Sequence, residues 1–188
     1  MIEWIIGILI LAVIVFLVVV YNGLIVKRNR VDNSWSQIDV QLKKRADLVP
    51  NLVETVKGYA KFEQKVLTEV TKARSAILSA KTPKESAAGE NMLAGALKTI
   101  FAVAEAYPTL KANESFLKIQ EELSSTENKV AFSRQFYNDM VMKWNTMIAT
   151  FPTTIIASMF GKKKDREFFE ANEEEKKSVK VDFSDLSK

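Results

Sequence analysis

An unbroken apolar run from Trp4 to Tyr21, WIIGILILAVIVFLVVVY, constrains this chain more than any other feature. At about 1.5 Å per helical residue it reaches about 27 Å, close to the roughly 30 Å hydrocarbon layer of a bilayer. Ile5 and Phe16 lie within the run, and Trp4 and Tyr21 stand at its ends, where amphipathic aromatics prefer the membrane interface. A cleaved signal peptide would carry a basic leader and a small-residue cleavage site. Here Glu3 precedes the run and no such site follows. A soluble core helix rarely stays apolar on every face. Residues 1–26 therefore read as a single transmembrane anchor. Lys27, Arg28 and Arg30 cluster just after it, so the positive-inside rule sets the N-terminus outside and the rest of the chain in the cytoplasm.

The remainder is about one domain in length. With 47% hydrophobic and 27% charged residues in 188, the chain can bury a core. Its formal charge of +4 is compatible with an anionic membrane surface and too diffuse to indicate nucleic acid. The absences exclude more. There is no histidine and no cysteine. That removes disulfides, thiolate nucleophiles, imidazole bases and nearly every zinc, haem, iron–sulfur or di-iron ligand set. No metal, cofactor or catalytic residue is expected. Asp39, Asp47, Glu54 and Glu63 are the carboxylates an enzyme would pair, yet they lie among lysines on a helical face, the usual setting of solvated charge.

From Val31 the apolar positions run Trp35, Ile38, Leu42, Val49, Leu52, Val56, Tyr59, Val66, Val70 and Ile77, mostly three or four apart. That spacing is the signature of an amphipathic helix, and no strand-like alternation of any length occurs. Trp35 and Ile38 fall on the apolar stripe and read as core before they read as partner contacts. Gly58 within the run marks either a close helix approach or simple tolerance. Thr82, Pro83 and Glu85 then form a capping box with proline at the first helical position, opening a helix that stops near Tyr107, ahead of Pro108. Asn113 caps the longest segment, in which Phe116, Ile119, Leu123, Val130, Tyr137, Val141, Trp144 and Ile148 keep a period near 3.5 until Pro152.

The segment DLVPN, Asp47 to Asn51, carries two opposed signals. Proline inside a helix costs about 3 kcal/mol, but little in a first turn. Asp47 as N-cap would place Pro50 where its nitrogen has no intrahelical partner, and Lys43, Lys44 and Arg45 suit the negative end of an expiring helix. Against this, the apolar phase continues across the proline. A kinked helix of about 60 residues would reach roughly 90 Å, with no partner of matching length. The expectation is a break at Asp47–Pro50. It yields helices over about 27–47, 48–81, 83–107 and 114–150, segments of comparable length and the usual material of a bundle.

After residue 150 comes FPTTIIASMFGKKK, with Ile155, Ile156, Met159 and Phe160 abutting Lys162, Lys163 and Lys164. With four helices leaving and returning in turn, this segment lies near the bilayer and suits an interfacial contact with anionic lipid. Alternatively its apolar residues fold back to cap the helices. If Pro50 merely kinks one helix, parity flips and the segment lies far away. The charged stretch to Lys188 reads as a solvated, partly ordered extension holding Phe168, Phe169, Val181 and Phe183, so that 151–188 stands apart from the 27–150 unit.

These stretches also carry a resemblance. YNGLI, RNRVDNSWSQIDVQLKKRADLVPNLVETVKGYAKFE, SSTENKVAFSRQFYND, FPTTIIASMFG and EFFEANEEE are similar, in this order, to blocks of the bacterial LemA family. The resemblance implies an all-α fold: a single-pass protein of the cytoplasmic (inner) membrane whose soluble part is an antiparallel four-helix up-and-down bundle. It implies no catalytic residues. Family members are discussed alongside a membrane-bound zinc protease of envelope quality control, and one branch is tied to magnetosome membrane formation. The function expected is a membrane-anchored, non-enzymatic scaffold or adaptor contacting lipid, other envelope proteins such as a membrane protease, or copies of itself. The alternatives are an oligomeric membrane-shaping protein and, further off, an enzyme using paired carboxylates.

Overall fold

The structure, a computed structural model, describes residues 1–57, 64–162 and 164–170. Within these the chain is all-α, with six helices and no strand. The first, α1, spans Ile2–Lys57 and carries the apolar run at its start, where 18 residues of mean hydropathy 3.2 have none buried. The others are α2 (Gln64–Ser79), α3 (Pro83–Ala104), α4 (Pro108–Lys111), α5 (Glu114–Ala149) and α6 (Thr153–Met159). Gly58, Tyr59, Glu63, Lys163, Val181 and Phe183 lie outside the described residues.

The expected break at Asp47 and Pro50 does not occur: α1 runs through both, and both are exposed. The reason lies in a partner 28 positions away. Proline at 50 has no N–H to give the carbonyl four residues back, that of Ala46. Arg74 of α2 donates its Nε–H to this carbonyl at 3.2 Å, so the buried acceptor is satisfied and the helix continues. The helices expected at 27–47 and 48–81 are thereby replaced by α1 and α2. The parity expected of a kinked helix does not follow either, because α2 packs back along α1, with Arg74 beside Ala46. Substituting Arg74→Ala is expected to cost about 1–3 kcal/mol by stranding the acceptor. Installing Pro50→Ala first should shrink that loss, and a double-mutant cycle on unfolding midpoints measures the coupling.

On α1 the buried residues Leu24, Val31, Ile38, Arg45 and Leu52 recur every seven positions, with Leu42, Val49 and Val56 beside them. On α5, Phe116, Leu123, Val130, Tyr137 and Trp144 do the same. These two stripes face each other along the most extensive helix–helix contact in the molecule. The pair is antiparallel: Met147 lies against Gly23, Trp35 against Tyr137 at 5.6 Å, and Arg45 against Glu127. Ile38 is fully buried in this core, and Trp35 is half-buried and packs against it.

Helices α2 and α3 form a tight hairpin. Thr82 caps α3 by accepting from the Glu85 N–H, and the Glu85 carboxylate reaches back to the Lys81 N–H at 2.7 Å. Gly89 lets the two helices close up, since a Cβ there would stand 2.9 Å from the Ile77 nitrogen. Asn113 caps α5 through the Phe116 N–H, as its sequence position indicates. The sequence gives no separate α4; Pro108 at its first position starts this single turn, which buries Leu110.

Beyond α5 the chain turns through α6, reverses at Gly161 with φ of 63°, and runs back along α5. Residues 164–170 keep most of their side chains in solvent, but their backbone is held more closely than a partly ordered extension requires. The Trp144 indole donates to the Lys164 carbonyl and the Tyr137 hydroxyl to the Glu167 carbonyl. Asn145 and Asn138 each exchange two hydrogen bonds with the backbone, at Arg166 and Phe169, all between 2.9 and 3.0 Å. The spacing explains the fit: seven helical residues and three extended ones both advance about 10 Å. Phe169 is buried at 2% exposure and packs against Trp35, whereas Phe168 is exposed.

Candidate functional site

Two places concentrate groups that a packed helical core does not require. The first is an ion network at mid-length. Arg45 occupies the seven-residue stripe of α1, flanked by Ile38, Leu42, Val49 and Leu52, with its side chain 3% exposed. It pairs with Glu90 of α3, itself buried, and its Nη2 lies 3.2 Å from the Glu127 carboxylate of α5. One guanidinium thus ties three helices. Arg45 Nε and Glu90 Oε2 are buried without a hydrogen-bond partner among the described residues. Burial pushes the Glu90 carboxyl above its ordinary value; Arg45 opposes that rise, Glu127 adds to it, and Arg134 opposes it weakly. Burial likewise raises the Tyr137 phenol.

Arg45 and Glu127 also line an open groove of about 540 Å³ between α3 and α5, bordered by Gly95, Lys98, Gln120 and Ser124. Two carboxylates converge here, but the guanidinium sits between them and fixes both. Glu127 remains largely solvated, and no group of three or more metal-ligating side chains occurs among the described residues. Asp39 pairs with Lys43 at 2.6 Å and Glu54 lies 3.9 Å from Lys57, both on exposed surface, and Asp47 is exposed too. Among the described residues, Asp39, Asp47 and Glu54 are therefore not brought together. The sequence reading assigned Arg45 to a helix end, where it does not lie. The available signal was the gap of seven between Leu42 and Val49, whose middle position holds a charge.

The second place is the end of the molecule where the apolar run emerges. Trp4, Ile5 and Phe16 are exposed along α1, and Tyr21 is half-buried in ring contact with Phe160 at 4.8 Å. Lys27 is half-covered one turn beyond Leu24, and Arg28 and Arg30 are exposed. Arg28 lies 3.9 Å from Asp32, which also receives Arg166 at 2.8 Å and so pins the returning segment to α1. On α6, Ile156 is buried while Ile155 and Met159 are exposed, as is Phe160 just after it; Lys162 is half-buried and Lys164 exposed.

Residues 34–183 match the sequence model of the LemA family. The chain is 29% identical over 169 residues to Protein LemA of Metamycoplasma hominis, covering 88% of this chain and 74% of that protein. It is 22% identical over 185 residues to Magnetosome protein MamQ of Magnetospirillum gryphiswaldense, covering 85% and 68%. A third relative, Magnetosome protein MamQ 2 of Paramagnetospirillum magneticum, is 23% identical over 187 residues, covering 86% and 69%. With the family match extending from the first turns of α1 beyond the apolar run to past the returning segment, the chain belongs to the LemA family.

Proposed function

We propose that this protein is a membrane-anchored, non-catalytic scaffold or adaptor of the bacterial inner membrane, with α1, α2, α3 and α5 forming an up-and-down four-helix bundle on the cytoplasmic side. One observation carries this reading: α1 passes from the apolar run into the core as a single 56-residue helix. A flexible linker would let a domain wander. A continuous helix instead holds the bundle as a post reaching about 50 Å outward from the bilayer, from the advance of the residues after Tyr21. The cluster of Lys27, Arg28 and Arg30 at its foot supports cytoplasmic placement. The clamped Arg45–Glu90–Glu127 network suits rigidity better than proton transfer.

The outer face of α5 presents Phe132, 73% exposed, with Phe136 one turn on, and serves as the contact face for a protein partner or another copy. A photoreactive amino acid at Phe132, installed in the full chain in living cells, is expected to capture one defined protein or the chain itself. If that position and its neighbours on α5 yield only uncrosslinked monomer, the scaffold reading fails.

A further inference from the structure

We propose that the turn around α6 is a second, peripheral membrane contact, in which Phe151, Ile155, Met159 and Phe160 enter the headgroup boundary of the bilayer that α1 spans. The proposal rests on the reading of Trp4–Tyr21 as a span and adds a second point of attachment to it.

The path of the chain carries the argument. Antiparallel to α1, α5 descends until Met147 lies against Gly23, two residues beyond the apolar run. Residues 150–162 form the apex of the turn, and from Lys164 the chain climbs back alongside Trp144, Asn145 and Asn138. The apex is thus the part of the described soluble region that extends furthest toward the span. Its Phe160 ring touches Tyr21, the span's own interfacial aromatic, at 4.8 Å.

The composition of the apex is wrong for water. Phe151 is 79% exposed, Met159 72%, Ile155 53% and Phe160 50%. On the opposite face of the same short helix Ile156 and Ala157 are buried against the core, so capping the helices uses only one face of the segment. α6 caps the helices with one face and leaves its other face apolar. Four large exposed apolar groups in ten residues, continuous with a membrane span, match an interfacial segment. Lys162 and Lys164 follow the patch in sequence and Lys27 and Arg28 follow the apolar run on α1, positive charge suited to anionic headgroups, with Asp165 and the Arg28-paired Asp32 as acidic neighbours.

The test uses the full-length chain, which has no cysteine of its own. Single Ile155→Cys, Met159→Cys, Phe132→Cys and Ile10→Cys variants, each carrying an environment-sensitive fluorophore, are reconstituted into phosphatidylcholine–phosphatidylglycerol vesicles. Labels at positions 155 and 159 should be quenched by spin-labelled lipid and shielded from aqueous iodide, consistent with burial roughly 5–10 Å into the boundary. The label at 132 should show the reverse. Lipid quenching at position 10 reports the span itself. If position 10 is quenched while 155 and 159 are open to iodide, the span stands and the second contact is overturned. Shielding at 155 and 159 from both quenchers means protein covers the patch, and also overturns it. An unquenched label at position 10 removes the span and the proposal together.

Discussion

Replacing Arg45 with alanine is expected to lower the unfolding free energy by about 3–5 kcal/mol, the loss typical when one member of a buried ion pair is removed. The cost comes from what remains. Glu90 would sit buried on α3 without its guanidinium, and a buried carboxylate with no counter-charge is far more expensive than a lost contact. Replacing Arg45→Met and Glu90→Leu together should recover most of the loss, since an apolar pair of similar volume needs no charge compensation. Chemical unfolding of the full chain in detergent, followed by circular dichroism, measures both. An Arg45→Ala loss near that of an exposed salt bridge, below about 1 kcal/mol, would show that the network does not hold the helices. A pH series adds an independent sign. Because the folded Glu90 carboxyl lies above its ordinary value, the native state holds its proton more tightly than the unfolded chain. Its contribution is therefore fully present below the unfolded carboxylate range and is lost as pH rises through the folded value. The stability of the natural protein relative to Glu90→Gln should decline over that interval.

Arg45 also shows what the sequence reveals and what it conceals. The seven-residue stripe, the caps at Thr82 and Asn113, and the apolar run all follow from local spacing, so α3, α5 and the candidate span emerge from the residues alone. A charge on an apolar stripe is visible too, but its partners Glu90 and Glu127 lie 45 and 82 positions away, and no local rule selects them from the other acidic residues. Pro50 failed as a marker for a related reason. Local rules state what proline removes; only the tertiary structure states that Arg74 replaces it. The segment 164–170 is concealed more deeply. Asn138 and Asn145 bind its backbone, so the bonds leave no requirement on the side chains they hold, and a charged, apparently solvated stretch can be clamped. Arg45 has a further consequence for specificity. A polar residue on such a stripe can fix register, because sliding α1 against α5 would part the guanidinium from both carboxylates.

Phe169→Ala is the second substitution of large expected effect. Phenylalanine truncation in a core costs about 3–5 kcal/mol, and Phe169 is as buried as the central residues of α1. Its position changes how that loss is felt. Residues 164–170 are fastened by Phe169 packing on Trp35, by the two reciprocal asparagine pairs, and by Arg166 on Asp32. Such a segment can open as a unit without unfolding the helices, so part of the loss should appear as local opening. Hydrogen exchange at the Arg166 and Phe169 amides, both held by asparagine side chains, separates the two routes. Protection at both amides should fall together in Phe169→Ala, while the α1–α5 seam around Leu42 and Val130 keeps most of its own. Asn138→Ala with Asn145→Ala removes the reciprocal bonds and leaves the aromatic in place, and should open the same amides. Unchanged exchange in both variants would mean that the clamp does not hold the segment. The outcome bears on the membrane end as well. The returning segment and α5 together fix both ends of the turn that carries α6, so releasing one end frees the apolar apex to move relative to Tyr21.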